Sequence, residues 1–151
     1  MPNIGEKVTD FILPSTDGQF QLSKLYKLKN VVLAFYTEDD TPNCNQQLTS
    51  FKEEYATIQD LGAEVVAISV DTLPSHQALS EKMGGYPFPL VSDEEREVAA
   101  AYGVLHDDGK RSNRAVFVID QRGVVIHAIP WYQPGNPSHL LEVFEALGLK
   151  I

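Results

Sequence analysis

The stretch Val31-Val32-Leu33-Ala34-Phe35-Tyr36 runs directly into Thr37-Glu38-Asp39-Asp40-Thr41-Pro42-Asn43-Cys44, and the change of character at Thr37 decides the fold. A nearly continuous apolar run is what a strand covered on both faces requires, so this strand belongs in the middle of a sheet. Pro42 suits the first position of a helix capped by Thr41, because proline lacks the N–H that would be orphaned there and its φ is already helical. Downstream, Leu48, Phe51, Tyr55, Ile58 and Leu61 recur every three or four residues and form one apolar stripe, with Gly62 placed to end the helix. Cys44 stands on the same side as Leu48, in the first turn.

Outward from this unit the pattern alternates. A strand is expected over Glu64 to Val70, a helix around Ser75 to Met83, a short strand near Phe88 to Val91 and a helix around Glu94 to Tyr102. Ala115 to Asp120 and Val124 to Ile129 are two β-rich runs separated by Gln121-Arg122-Gly123, which reads as a tight antiparallel hairpin. A last helix runs from Pro137 to Leu147, capped by Asn136 and ended by Gly148. At the start, Phe11 to Leu13 and Gln19 to Leu22 flank Thr16-Asp17-Gly18 as an opening hairpin. This order implies an α/β fold with a central mixed sheet, helices on both faces and an N-terminal β-hairpin. Thioredoxin-like architecture matches it; a flavodoxin-like fold would be all parallel and would not end in a hairpin.

At 151 residues and 43% hydrophobic content the chain can close one core, and residues 1–151 are expected to form one domain. A formal net charge of −9 disfavours nucleic acid and anionic membranes as partners, because both require clustered Lys and Arg. No apolar run approaches the roughly 20 residues needed to span a bilayer, and Met1 to Asp10 lacks the pattern of a secretory leader, so the expected location is cytoplasmic. His76, His106, His127 and His139 are scattered without metal-ligand spacing, and no glycine run forms a phosphate loop, so neither metal nor cofactor is expected. Asp93, Glu94, Glu95 and Glu97 read as a solvated acidic helix start. Trp131, Tyr132 and Pro134 read as core or rim packing rather than a dimer contact.

Cys44 is the one cysteine, so no disulfide can form within the chain. A cysteine reacts as thiolate, and a helix N-terminus favours that anion through unsatisfied N–H groups and the helix dipole. Free cysteines are equally at home as small buried hydrophobes, so placement alone leaves both readings open. The acidic run Glu38-Asp39-Asp40 opposes a thiolate, and a positive partner is needed.

The segment Phe35 to Cys44, F-Y-T-E-D-D-T-P-N-C, resembles the active-site segment of peroxiredoxins of the AhpC/TSA family, bacterioferritin-comigratory or Q type. The similarity extends over nearly the whole chain: Gly5, Asp10, Phe11, Leu13, Pro14 and Gly18 at the start, P-L-V-S-D at Pro89 to Asp93, A-Y-G-V at Ala101 to Val104, and R-A-V-F-V-I-D at Arg114 to Asp120. The resemblance implies that Cys44 is the peroxidatic nucleophile, that Thr41 orients the peroxide through its hydroxyl, and that Arg114 supplies the cation that favours the thiolate and polarises the peroxide. The Asn43 and Cys44 backbone amides would complete the anion site. Arg111 is the neighbouring basic residue, but Arg114 keeps the family's spacing to the Phe-Val-Ile-Asp strand.

Two positions depart from the family. Its active-site proline falls at Thr37, and the second cysteine that many Q-type members carry five residues after the first is Thr49. The implied activity is therefore a one-cysteine peroxidase acting on hydrogen peroxide and organic hydroperoxides. It would be recycled by an external thiol, such as a thioredoxin-like protein or a small thiol, as monomer or homodimer. A redox sensor or binding module with weak turnover is the alternative; a disulfide oxidoreductase is disfavoured because Thr41 and Cys44 leave only one thiol where C-x-x-C is required.

Overall fold

The computed structural model describes residues 2–149. In chain order its elements are β1 (Ile12–Ser15), β2 (Gly18–Gln21), α1 (Leu22–Tyr26), β3 (Asn30–Phe35), α2 (Pro42–Glu53), α3 (Tyr55–Asp60), β4 (Ala63–Ser69), α4 (Leu73–Lys82), β5 (Leu90–Ser92), α5 (Glu97–Ala101), β6 (Ala115–Ile119), β7 (Val125–Ile129) and α6 (Pro137–Ala146). The strands form one sheet in the order β2-β1-β5-β4-β3-β6-β7. β3 pairs parallel with β4 and antiparallel with β6, which places its apolar run mid-sheet as its composition requires.

Because side chains alternate across a strand, β3 and the residue after it feed two cores. Val32, Ala34 and Tyr36 face a layer with Cys44, Leu48 and Phe51 of α2, Ile58 of α3, Leu79 of α4 and Val143 of α6. Val31, Leu33 and Phe35 face the other layer, with Leu22 and Tyr26 of α1 and Val98 and Ala99 of α5. All six are fully buried. Each Val, Leu or Phe there contributes roughly 1.5–3 kcal/mol by leaving water. The mixed sheet, flanking helices, opening hairpin and closing hairpin follow the expected architecture.

Several expected boundaries move. The single helix from Pro42 to Leu61 is two, because Glu54 (φ −96, ψ 8) turns the axis between α2 and α3. Hydrogen bonding continues through the turn, Ile58 N–H donating to the Glu54 carbonyl at 3.0 Å. The turn lets the Tyr55 hydroxyl donate to Glu64 at 3.0 Å while Ile58 stays buried. α4 begins earlier than Ser75, at Leu73, since the Thr72 hydroxyl caps it by accepting from the Ser75 N–H. α5 begins only at Glu97, after Arg96 in the left-handed region (φ 62). Asp93 is the reason: its carboxylate accepts from the Val98 and Ala99 N–H groups at 3.2 and 2.8 Å. The acid expected to be solvated is 1% exposed. α1, absent from the pattern reading, is one turn long and forms beneath β3 where Leu22 and Tyr26 reach the core.

Gly123 closes the β6–β7 turn at φ 77, and a Cβ there would lie 2.7 Å from the Tyr26 ring. Gly62, at φ 80, has open space around it. Gly62→Ala should therefore show only the cost of left-handed backbone, about 1–2 kcal/mol. Gly123→Ala should cost clearly more in urea unfolding, and equal losses would show that the Tyr26 contact is not tight.

Candidate active site

α2 starts where the sequence places it. Thr41 is its N-cap (φ −108, ψ 149), Pro42 opens it, and the first helical bond runs from Asn45 N–H to the Thr41 carbonyl at 2.8 Å. The Thr41 hydroxyl, expected to cap the helix, instead donates back to the Glu38 carbonyl at 3.3 Å. The hydroxyl thus tightens the preceding turn, and among the described residues the Asn43 and Cys44 N–H groups have no partner. Two unpaired amides at a helix start point toward a negatively polarised atom.

Cys44 is 1% exposed and packs with Tyr36, Leu48 and Tyr132. Its neighbour in the chain, Asn43, lines a cavity of about 250 Å³ together with Thr37, Glu38, Thr41, Pro42, Arg111 and Arg114. A second, of about 390 Å³, shares Thr37, Arg111 and Arg114 and extends to His106, Trp131 and Tyr132. Thr41 and Arg114 therefore meet at one cavity, whereas the buried Cys44 does not line it and follows Asn43, which does. Trp131 and Tyr132 divide: Trp131 is exposed at the outer cavity, and Tyr132 is buried against Phe51 with ring centroids 5.7 Å apart. Burial pushes the Tyr132 hydroxyl up to about 12.

Arg114 immediately precedes β6, whose first residue, Ala115, pairs with Phe35 at the end of β3. Its carbonyl accepts from the Tyr132 N–H at 2.8 Å, which holds the backbone. No carboxylate among the described residues pairs with its guanidinium, and its buried Nε has no partner. Gln47, three residues after Cys44 on the same helix face, is fully buried and donates to the Phe35 carbonyl at 3.3 Å, while its Oε1 is unpaired. Sequence reasoning passed over Gln47; a polar residue inside an apolar helix stripe was the available signal.

The acidic run opposing a thiolate is matched acid by acid. Glu38 pairs with Arg111 at 3.1 Å, Asp39 with His76 at 2.8 Å and Asp40 with Lys82 at 2.7 Å. Asp40 takes the left-handed region (φ 57), which Asp tolerates better than most residues. Lys82 and the Asn45 amide, which donates to Asp40, hold the Asp40 carboxyl below its ordinary value. The sequence reading contained none of these pairs, because the basic partners come from α4 and from the loop before β6.

His76, scattered in the sequence, is fully buried. Its Nε2 faces the Val91 carbonyl at 3.0 Å, which can only accept, and its Nδ1 faces Asp39 Oδ2 at 2.8 Å. The Val91 carbonyl needs a proton on Nε2, and Nδ1 lies between the Asp39 carboxylate and the Tyr36 hydroxyl, 3.2 Å away. The Tyr36 and Ser75 hydroxyls donate to the same carboxylate at 2.7 Å each. Burial pushes the Asp39 carboxyl up, but the hydrogen bond and charge of His76, with Tyr36 and Ser75, outweigh it and hold it below the ordinary range. Asp71 accepts from Ser69 at 2.6 Å and from the Asp39 N–H at 2.9 Å. Burial and the nearby Asp39 charge push the Asp71 carboxyl up. Asp39, Asp71 and His76 bring possible ligand atoms within 4.8 Å of one another, yet these hydrogen bonds already occupy them.

The family profile described as AhpC/TSA matches residues 4–128. A peroxiredoxin named bcp from Coxiella burnetii is 32% identical over 146 residues, covering 93% of this chain and 95% of that one. A chloroplastic peroxiredoxin Q from Populus jackii is 38% identical over 124 residues, 82% of this chain and 58% of its own length. The crystal structure of peroxidoxin BcpB from Mycobacterium tuberculosis superposes with a TM-score of 0.88 at 30% identity, covering 97% of both chains. No helix among the described residues is long and apolar enough to cross a membrane.

His76→Gln should lower stability at neutral pH by about 3 kcal/mol, because it strips a buried carboxylate of its main partner. Asp39 has a depressed folded value, so its contribution is complete above the ordinary Asp range and is lost as pH falls through the folded one. The gap between the two proteins in urea unfolding should accordingly shrink below about pH 4. A gap independent of pH down to pH 2 would contradict this.

Thr37→Pro removes no hydrogen bond, since the Thr37 N–H has no partner among the described residues. Stability should stay within about 1 kcal/mol of the parent. The rate of Cys44 oxidation should hold or rise in stopped-flow measurement; unfolding or a slower reaction would mean that this loop departs from the family path.

Proposed function

This chain belongs to the AhpC/TSA family of thiol peroxidases, and on that premise we propose that Cys44 alone reduces hydrogen peroxide and organic hydroperoxides and is regenerated by an external thiol. The observation that carries the reading is a cavity lined by Thr41, Asn43 and an Arg114 with no carboxylate partner among the described residues. It lies at the helix start whose Asn43 and Cys44 amides are unpaired among the same residues and whose Cys44 carries the only thiol in the chain. Residues 1–151 would act as one catalytic unit.

In the proposed cycle the Cys44 thiolate attacks one oxygen of the peroxide, forming an S–O bond as the O–O bond breaks. The leaving oxygen departs as alkoxide or hydroxide and takes a proton from solvent, giving alcohol or water. Arg114 and the two amides offset the negative charge that develops on the peroxide oxygens, which is where prearranged donors accelerate a reaction most. Thr41 orients the peroxide. Its hydroxyl donates to Glu38, which leaves its oxygen lone pairs toward the cavity as an acceptor for a peroxide O–H. The sulfenic acid is then attacked by an external thiolate: an S–S bond forms, water leaves, and a second external thiol releases Cys44. A thioredoxin-like protein or a small thiol would serve.

Thr37 in the family's proline position supports a second reading, a redox sensor with weak turnover, and the two are separated by rate. Stopped-flow oxidation of Cys44 by hydrogen peroxide should be far faster than that of free cysteine, and a comparable rate would end the peroxidase reading. Arg114→Met should slow it by about 100-fold or more, the scale of losing one charge-stabilising donor, and more than Arg111→Met does. After one equivalent of peroxide, intact mass with a sulfenic-acid trap should show Cys44 sulfenic acid; rapid, complete Cys44–Cys44 dimer formation would replace the external-thiol cycle with an intermolecular one.

A further inference from the structure

We propose that Arg111 is a positioning residue for this reaction: by holding the Glu38 carboxylate, it keeps Arg114 uncommitted at the cavity lined by Thr41 and Asn43. The inference rests on the peroxidase reading and extends it to a residue outside the family motif. Glu38, Arg111 and Arg114 all line the same cavity of about 250 Å³, so one acid and two guanidinium groups share a small, partly desolvated space. Glu38 has selected one of them. Arg111 Nη1 donates to Glu38 Oε1 at 3.1 Å, and Arg111 Nε lies 3.4 Å from Asp108 Oδ2, near enough for charge attraction though not aligned as a hydrogen bond.

Arg114 has no carboxylate partner among the described residues, and its Nε is buried and unpaired. Arg111 Nε is buried and unpaired as well, but Arg111 has Glu38, so the guanidinium still without a carboxylate is that of Arg114, and Glu38, which lines the same cavity, is the acid that would compete for it. Arg111 removes that competitor. The Glu38–Arg111 pair is itself partly exposed, at 48% and 41% for the two side chains, and such pairs add little to stability. Its consequence lies in where the Glu38 charge is kept. The other two acids of the run cannot intrude: Asp39 is held by His76 beneath the loop, and Asp40 by Lys82 on α4.

The test is a double-mutant cycle read by stopped-flow oxidation of Cys44 with hydrogen peroxide, together with the thiolate absorbance of Cys44 at 240 nm. Arg111→Met should slow oxidation by about fivefold, the upper end for a partly exposed pair, and reduce the thiolate fraction at pH 7. Arg111→Lys should retain most of the rate, because it keeps a charge for Glu38. Glu38→Gln should be at least as fast as the parent, and in the Arg111→Met background it should restore the rate to within about twofold. A double variant as slow as Arg111→Met alone would overturn the proposal and make Arg111 a direct contact of the peroxide. An Arg111→Met protein as fast as the parent would overturn it as well. Should the parent react no faster than free cysteine, the peroxidase reading fails by itself, while the thiolate fractions of the parent, the Arg111→Met and Glu38→Gln proteins and their double variant still decide whether Glu38 competes for Arg114.

Discussion

The 2.8 Å contact between His76 Nδ1 and the Asp39 carboxylate fixes the loop on which everything at the Cys44 site depends. Both groups are nearly removed from water, where an unpaired charge is strongly unfavourable, so the loop cannot drift without exposing one of them. Tyr36 at the end of the strand and Ser75 at the start of α4 donate to the same carboxylate, and the Asp39 N–H is held by Asp71. The turn from β3 to α2 is thereby anchored to two neighbouring elements before the helix begins. Thr41, Asn43 and Cys44 inherit their positions from that anchor.

An acidic loop ahead of a reactive cysteine is, on its face, a poor arrangement. Negative charge beside a thiol disfavours the anion, and Glu38, Asp39 and Asp40 are consecutive. The fold resolves this by directing the three carboxylates to three separate basic side chains: Arg111 on the loop before β6, His76 inside the core and Lys82 on α4. Arg114 is the cation left over at the cavity. The electrostatics of the site therefore depend on the pairing of all four basic groups, and a motif containing only one arginine understates it.

Much of the frame was legible because its signals are local. Continuous apolar character marked β3, Thr41-Pro42 marked the start of α2, and Gln121-Arg122-Gly123 marked the closing turn, each through a preference that acts over a few residues. The failures share a cause as well. The break at Glu54 follows from Tyr55 reaching Glu64, the late start of α5 from Asp93 turning inward to cap it, and the burial of His76 from a partner 37 residues away. The His76 contact joins segments far apart in the chain, and the other two span nine and five residues, longer than the three- and four-residue spacings that periodicity and capping preferences register.

By itself the sequence determined the order of the strands and of the longer helices, the placement of the single thiol at a helix start, and the family to which the chain belongs. These depend on backbone preferences, apolar spacing and short motifs that survive in any arrangement of the whole. The tertiary structure alone decided which basic group meets which acid, that the Thr41 hydroxyl turns back to Glu38, that Gln47 is buried with its Oε1 unpaired among the described residues, and that among those residues Arg111 and not Arg114 is paired with a carboxylate. Charge pairing depends on distances across space and on exclusion of water, and neither exists until the sheet has brought β3, α4 and β6 together.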